Sequence, residues 1–456
     1  MTGIDALVAS ALAGGSSVEL DLSGCEPKLA GELPASICDA ISARLVKLNA
    51  PGHALTSLPP SFASLSRLRV LFFLGNAFDA VPAVLGGLPS LFMLSFKGNA
   101  IADVPDGSLP PSLGWLILTD NRIPRLPRSF GSLTGLRKLM LASNRLTSLP
   151  DEIALCTSLE LVRLSNNLLE SLPPGFLLLP RLAWVALAGN PLSPSPPAAP
   201  GVAQVPWDSI VLGSRLGDGA SGTVFEASLG TDTVAIKVFK ASSSDGRPED
   251  EVAIALALPS HPCLIKTRGF IQEAPRSGSS DVGSLGLVME LVRGELLGRT
   301  PSFESVTRDT FPPDTPTLGI FEVADVARGI AAALAHMHAH GVCHGDLYAH
   351  NILVSRGDAS VGGTSSVAIT PKLGDLGAAW AVPHCLATAA ERFDVRGFGC
   401  LLEDLMCVSS ARGGSEPVHS PQLREVRASL ESVAALCLNV DVESRPTMAA
   451  VVELLK

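Results

Sequence analysis

The apolar positions of the first 200 residues recur with a period too long for a single helix or strand. Asn76, Asn99, Asn121, Asn144, Asn167 and Asn190 follow one another at intervals of 23, 22, 23, 23 and 23 residues, each closing the same apolar frame. One frame reads Leu136, Leu139, Leu141, Asn144, Leu146 and Leu149-Pro150, and the next Leu159, Val162, Leu164, Asn167, Leu169 and Leu172-Pro173. A unit this short cannot bury its apolar face alone, so the pattern predicts stacked coils whose inward leucines share one core. The Asn is expected to bond backbone groups left free by the turn after each strand. His53 takes the Asn place in the frame Leu45, Leu48, Ala50, Leu55, Leu58-Pro59, and Leu20, Leu22, Cys25 and Leu33-Pro34 read as a degenerate first cap. About eight units fit between residues 17 and 195.

These frames resemble the leucine-rich repeat, L-x-x-L-x-L-x-x-N-x-L. The leucines and asparagines are then architecture, and any binding falls to strand positions of the concave face. Those include Val70, Phe72, Phe92, Met93, Trp115, Ile117, Met140, Leu161 and Trp184, an apolar and aromatic band. A protein partner on Phe72, Met93, Trp115 and Trp184 is the expectation, set against cover by neighbouring side chains or by the second half of the chain.

After Asn190 the run Pro-Leu-Ser-Pro-Ser-Pro-Pro-Ala-Ala-Pro cannot build a core and favours extended polyproline II. The expected organisation is a solenoid over 1–195, a Pro-rich linker over 196–206 and a second domain over 207–456.

That second domain opens as strand, turn, strand. Val211-Leu212 leads into Gly217-Asp-Gly219-Ala-Ser-Gly222-Thr-Val224, and Val234-Ala235-Ile-Lys237 places a lysine 15 residues after Gly222. Glycines that open a helix mark a dinucleotide site, whereas here a β-rich stretch follows. Glu251 opens an apolar helical pattern that ends before Pro259, and Leu287-Val-Met289-Glu290-Leu-Val292 reads as a strand. Farther on come His344-Gly-Asp346-Leu-Tyr-Ala-His-Asn351-Ile-Leu353 and Lys372-Leu-Gly-Asp375-Leu-Gly377.

The ordered set resembles a protein kinase: glycine-rich loop, strand lysine, helix glutamate, H-R-D-L-x-x-x-x-N and D-F-G, in sequence over about 160 residues. The resemblance implies an α+β bilobal fold after the α/β solenoid, with a small lobe over about 207–292 and a large lobe over about 293–456. It implies ATP and Mg²⁺ as cofactors. Gly217, Gly219 and Gly222 would let backbone approach the phosphates, and Lys237, paired with Glu251 or with its near alternatives Glu249 and Asp250, would hold the α- and β-phosphates. Val224, Ala235 and Leu353 would enclose adenine, Met289 would be the gatekeeper, and Glu290 to Val292 would offer hinge backbone groups. Asp346 would orient the acceptor hydroxyl, while Asn351 and Asp375 would ligate magnesium. Asp394-Val-Arg-Gly-Phe-Gly399 and Arg445-Pro-Thr447 resemble later helical-lobe signatures.

Departures from the family pattern bear on activity. Gly345 stands where the family has Arg, removing the contact through which a phosphorylated activation loop orders the site. Tyr348 and His350 occupy positions where Lys or Arg would support the transferred phosphate. Asp394 follows Asp375 by only 19 positions, and Thr388 is the sole hydroxyl residue from 376 to 393. The expected function is phosphate transfer to a protein hydroxyl, serine or threonine by family default, by a kinase held ready and governed through its repeats. A pseudokinase scaffold is the alternative, and a small-molecule acceptor the third reading.

Charge and cysteine usage narrow the setting. The net charge is −10, and all the acidity lies beyond residue 200, where 20 Lys and Arg face 30 Asp and Glu. No basic patch favours nucleic acid or an anionic membrane. The opening residues lack a cationic leader, no apolar run nears the roughly 18 residues that cross a bilayer, and nine scattered cysteines form no Cys-x-x-Cys pair. A cytoplasmic protein with reduced thiols is expected.

Overall fold

A computed structural model describes residues 3–12, 17–41, 43–196, 203–219, 221–240, 246–272, 282–356, 369–411 and 420–456. The expected linker residues 197–202 lie outside these. The chain divides into two units, Met1–Arg181 with Asn190–Leu192, and Leu182–Gly189 with Ser193–Lys456.

In the first unit each repeat contributes one short parallel strand. Val18–Asp21, Leu45–Asn49, Val70–Phe72, Met93–Ser95, Trp115–Ile117, Lys138–Met140 and Leu161–Arg163 stack in chain order. The register places Leu71 beside Leu94, Leu94 beside Leu116 and Leu116 beside Leu139, so equivalent leucines form a fully buried column. Pro59, Pro82, Pro127 and Pro150 precede 3₁₀ turns that return the chain, because a fixed φ suits the residue entering a turn. Phe73, Phe78 and Phe96 add an aromatic cluster, with Phe78 and Phe96 edge to face at 5.0 Å.

The asparagines do what their spacing predicts. Asn144 Nδ2 donates to Leu118 O and Leu141 O at 2.9 and 3.0 Å, and its Oδ1 accepts from Ile123 N at 3.0 Å. His53 reproduces this in a different residue type. Its Nδ1 accepts from Leu29 N at 3.2 Å and its Nε2 donates to Leu22 O at 3.0 Å. Burial lowers the His53 pKa, which favours the neutral ring that this pairing requires.

The presumed concave band is largely covered. Met93 and Leu161 are buried, Phe72 and Trp115 are half-buried, and Lys138 Nζ sits 4.1 Å from the Trp115 ring. Trp184 retains only 2 % exposure and packs within the second unit. The partner expectation therefore fails at Met93 and Trp184.

The second unit has a sheet-rich small lobe and a helical large lobe. Strands β1 (Ile210–Asp218), β2 (Gly222–Leu229), β3 (Asp232–Lys240), β4 (Thr267–Gln272) and β5 (Val282–Glu290) are ordered β4-β5-β3-β2-β1, with Ala203–Gln204 added parallel to β4. Helix α1 (Pro248–Ala257) packs on this sheet, burying Val252, Ala255 and Leu256 beside Phe239 and Leu287. The large lobe gathers α2 (Ile320–Ala339), β6 (Ile352–Arg356), β7 (Ile369–Leu373), α3 (Ala387–Ala411), α4 (Pro421–Cys437) and α5 (Met448–Leu454). Alanines on α2 let Phe398, Leu402, Val433 and Met448 approach closely in one core.

Candidate active site

Strand register positions the first group of candidates. Lys237 on β3 lies opposite Val224 on β2 and Leu287 on β5. Gly222 is the glycine that packing demands: a Cβ there would stand 2.5 Å from Val238 O. Gly217 has open space around it, and Gly219 O accepts from Lys240 Nζ at 2.7 Å.

Lys237 then joins both lobes. Its Nζ donates to Glu251 Oε1 at 2.6 Å and to Asp375 Oδ1 at 3.1 Å. Burial opposes the Lys237 charge, but Asp375 and Glu251 more than offset this and raise its pKa. Asp375 is held down to about 2, chiefly by Lys237, against a desolvation that opposes its charge. Its backbone adopts φ of 52°, a left-handed conformation that Asp tolerates better than most residues, and its Oδ1 also accepts from Gly377 N at 3.2 Å.

The loop between α2 and β6 supplies the remainder. Asn351 Nδ2 donates to Asp346 O at 2.9 Å and Asp346 Oδ2 at 3.0 Å. His344 is fully buried: its Nδ1 accepts from Asp346 N at 3.2 Å and its Nε2 donates to Gly374 O at 3.0 Å, tying this loop to the Asp375 turn. One cavity is lined by Gly217, Gly219, Gly222, Val224, Ala235, Lys237, Glu251, Met289, Glu290, Val292, Asp346, Asn351, Leu353 and Asp375. Every site residue expected from the sequence therefore borders the same space. The amide N–H of Glu290, however, donates to Lys266 O at 2.9 Å, and its carboxylate accepts from Lys372 Nζ at 2.6 Å, so that amide is already engaged.

Two acids complete the site without having been assigned roles from the sequence. Asp394 on α3 is buried; its Oδ2 accepts from His344 N at 2.7 Å and from His338 Nε2 at 2.9 Å, and its Oδ1 accepts from Gly345 N at 2.9 Å. Its signal in the sequence was the run Asp394-Val-Arg-Gly-Phe-Gly399, which marked the position without giving it a role. Asp309 had none. Its Oδ1 pairs with His350 Nδ1 at 2.7 Å, and its Oδ2 accepts from His350 N at 3.0 Å. Burial disfavours a charged His350, but Asp309, with Asp346 and Asp375 beyond it, raises its pKa overall. This places a cation-forming ring on the cavity wall. The hard oxygens of Asn351 and ionised Asp375 are a donor set suited to Mg²⁺.

Residues 210–395 match the protein kinase domain family, and residues 134–192 match the leucine rich repeat family. A probable serine/threonine-protein kinase of Dictyostelium discoideum is 30 % identical over 269 residues, covering 52 % of this chain and 15 % of the relative. Mitogen-activated protein kinase kinase kinase 13 of Homo sapiens is 28 % identical over 213 residues, covering 44 % and 19 % respectively. The chain thus spans less than a fifth of the length of these curated relatives. A solved leucine-rich-repeat protein of Leptospira interrogans is 29 % identical with a TM-score of 0.30, over 37 % of this chain and 48 % of that one. Among the described residues no helix is long and apolar enough to cross a membrane. This chain carries a leucine-rich-repeat module followed by a protein kinase domain.

Proposed function

We propose that the second unit transfers the γ-phosphate of Mg-ATP to a protein hydroxyl, serine or threonine by the similarity to its relatives, and that the repeats bind a protein. The observation that carries the reading is Lys237, whose Nζ reaches Glu251 and Asp375 together while Asp346 and Asn351 border the same cavity. Lys237, charged and fixed, would hold the α- and β-phosphates. Asn351 and Asp375 would hold magnesium, which when bound neutralises charge on the phosphate oxygens. Asp346 would align the acceptor hydroxyl, its carboxylate steered by Asn351. Catalysis of this kind is positioning and electrostatics. Val224, Ala235, Met289 and Leu353 would enclose the base, with hinge contacts centred on Val292. Phe72 and Trp115 remain the half-buried aromatic positions for a partner of the repeats. A cytoplasmic setting accords with nine cysteines that are all free.

A scaffold reading draws on one observation. Tyr348, buried, stands where the family pattern has a lysine that supports the transferred phosphate. Incubation with radiolabelled ATP, magnesium and generic acceptors, comparing wild type with Asp375→Ala, separates the two. Label transfer lost in the variant is expected. Equal transfer by both proteins would remove Asp375 from the reaction, and thermal stabilisation by Mg-ATP without any transfer would establish the scaffold.

A further inference from the structure

Leu182–Gly189, part of the last repeat frame by sequence, belongs to the second unit, and its contacts there converge on the loop that carries Asp346. The Trp184 indole N–H donates to Leu347 O at 2.9 Å, with both groups buried. Its ring stacks on Tyr348 at 4.6 Å and 9°, and Tyr348 stacks in turn on His350 at 4.9 Å and 25°. Next to it, Val185 O occupies the space a side chain at residue 345 would need: a Cβ on Gly345 would lie 2.4 Å from Val185 O and 2.8 Å from Ala378 O. Gly345 also has φ of +69°, so the arginine of the family pattern is disfavoured by backbone conformation and blocked by contact. Ser193 Oγ donates to Ala381 O at 2.8 Å, reaching the segment that follows Asp375.

We infer that Trp184 is a positioning residue for Asp346, and that the segment Leu182–Gly189 supplies in cis the ordering that an arginine at 345 would otherwise provide. This inference rests on the phosphotransfer reading above. The backbone around Asp346 is restrained on both sides. Asp394 accepts from the N–H groups of His344 and Gly345 before it, and Trp184 donates to the carbonyl of Leu347 after it. A carboxylate held at both flanking peptides keeps its aim without a phosphorylated loop. Tyr348 is thereby explained as a stacking surface for Trp184 where the family pattern has a lysine.

The test compares the full chain with Trp184→Ala and Trp184→Phe in two measurements. One is steady-state phosphate transfer, read as kcat and KM for ATP. The other is hydrogen exchange of the amides of residues 344–351. Trp184→Ala should lower kcat about tenfold to a hundredfold with KM for ATP nearly unchanged, because a misaimed group costs turnover rather than nucleotide binding. Exchange at 344–351 should quicken about tenfold. Trp184→Phe keeps an aromatic face but no donor, and should lie between wild type and Trp184→Ala. Should Trp184→Ala not fold, Trp184→Phe decides: wild-type kcat and wild-type exchange overturn the inference. A wild-type chain without any transfer would refute the phosphotransfer reading alone; exchange then judges the clamp, quickened exchange supporting it and unchanged exchange overturning it.

Discussion

Lys237 Nζ lies 2.6 Å from Glu251 Oε1, and both side chains are almost wholly withdrawn from water. A buried pair of this kind owes little net stability to its attraction, since desolvation of two charges opposes it; breaking one side leaves a buried charge poorly compensated. The more exposed Asp375 shares the lysine at 3.1 Å.

Glu251→Leu and Lys237→Met should each destabilise the second unit, by about 2–4 kcal/mol. The double variant removes both charges and should cost clearly less than the two singles together. Urea unfolding of the four proteins measures the coupling, and strict additivity would show the pair to be energetically independent.

The glycine-rich turn offers a contrast within one motif. Gly222→Ala forces a methyl against the Val238 carbonyl, and a loss of about 1–3 kcal/mol is expected. Gly217→Ala meets open space and should stay within about 0.5 kcal/mol of wild type. Melting temperatures of both variants check this, and equal losses would count against the packing argument.

His53→Ala leaves Leu29 N–H and Leu22 C=O without their ring partner and should cost about 1–3 kcal/mol, whereas His53→Asn should restore most of the loss. The His53 pKa is depressed, so the unfolded chain binds the proton more readily. Stability of the first unit should accordingly fall as pH drops below the ordinary imidazole pKa, about 6.5, and His53→Asn should flatten that fall. Acid unfolding profiles that coincide for the two proteins would contradict this.

His338 predicts the opposite slope. Burial opposes its charge, yet the hydrogen bond from Nε2 to Asp394 Oδ2 at 2.9 Å, with Cys343 close by and Glu391 Oε1 3.3 Å from Nδ1, carries its pKa well above the usual value. A raised folded pKa stabilises fully below about 6.5, and that contribution disappears as pH rises through the folded value. The second unit should therefore lose stability on the alkaline side, and His338→Gln should be less stable near neutrality but flatter with pH. Denaturant midpoints across the alkaline range read this directly; a variant with the wild-type slope would exclude His338 as its source.

Much of this molecule is legible along the chain because short-range rules govern it. A 22- or 23-residue period announces a stack of coils whichever way each coil later turns, and even the His53 substitution keeps its place in the frame. Likewise Lys237, Glu251, Asp346, Asn351 and Asp375 can be picked out by order and spacing, since each sits in a local motif of strand, helix or turn. The roles of Asp309 and Trp184 could not be. Asp309 acts through a residue 41 positions away, and the hydrogen bond from Trp184 reaches across 163 positions, so nothing in their own neighbourhoods reports the partner. Along the chain Trp184 reads as a concave-face position open to a partner or to cover by the second half of the chain, because its strand pattern states which residues share a face but not what will cover that face. Gly345 looked like a lost arginine; folding shows it as the space that Val185 O requires. Periodicity follows from backbone geometry within each segment, whereas such pairings arise only when distant segments pack, and packing is a property of the whole core.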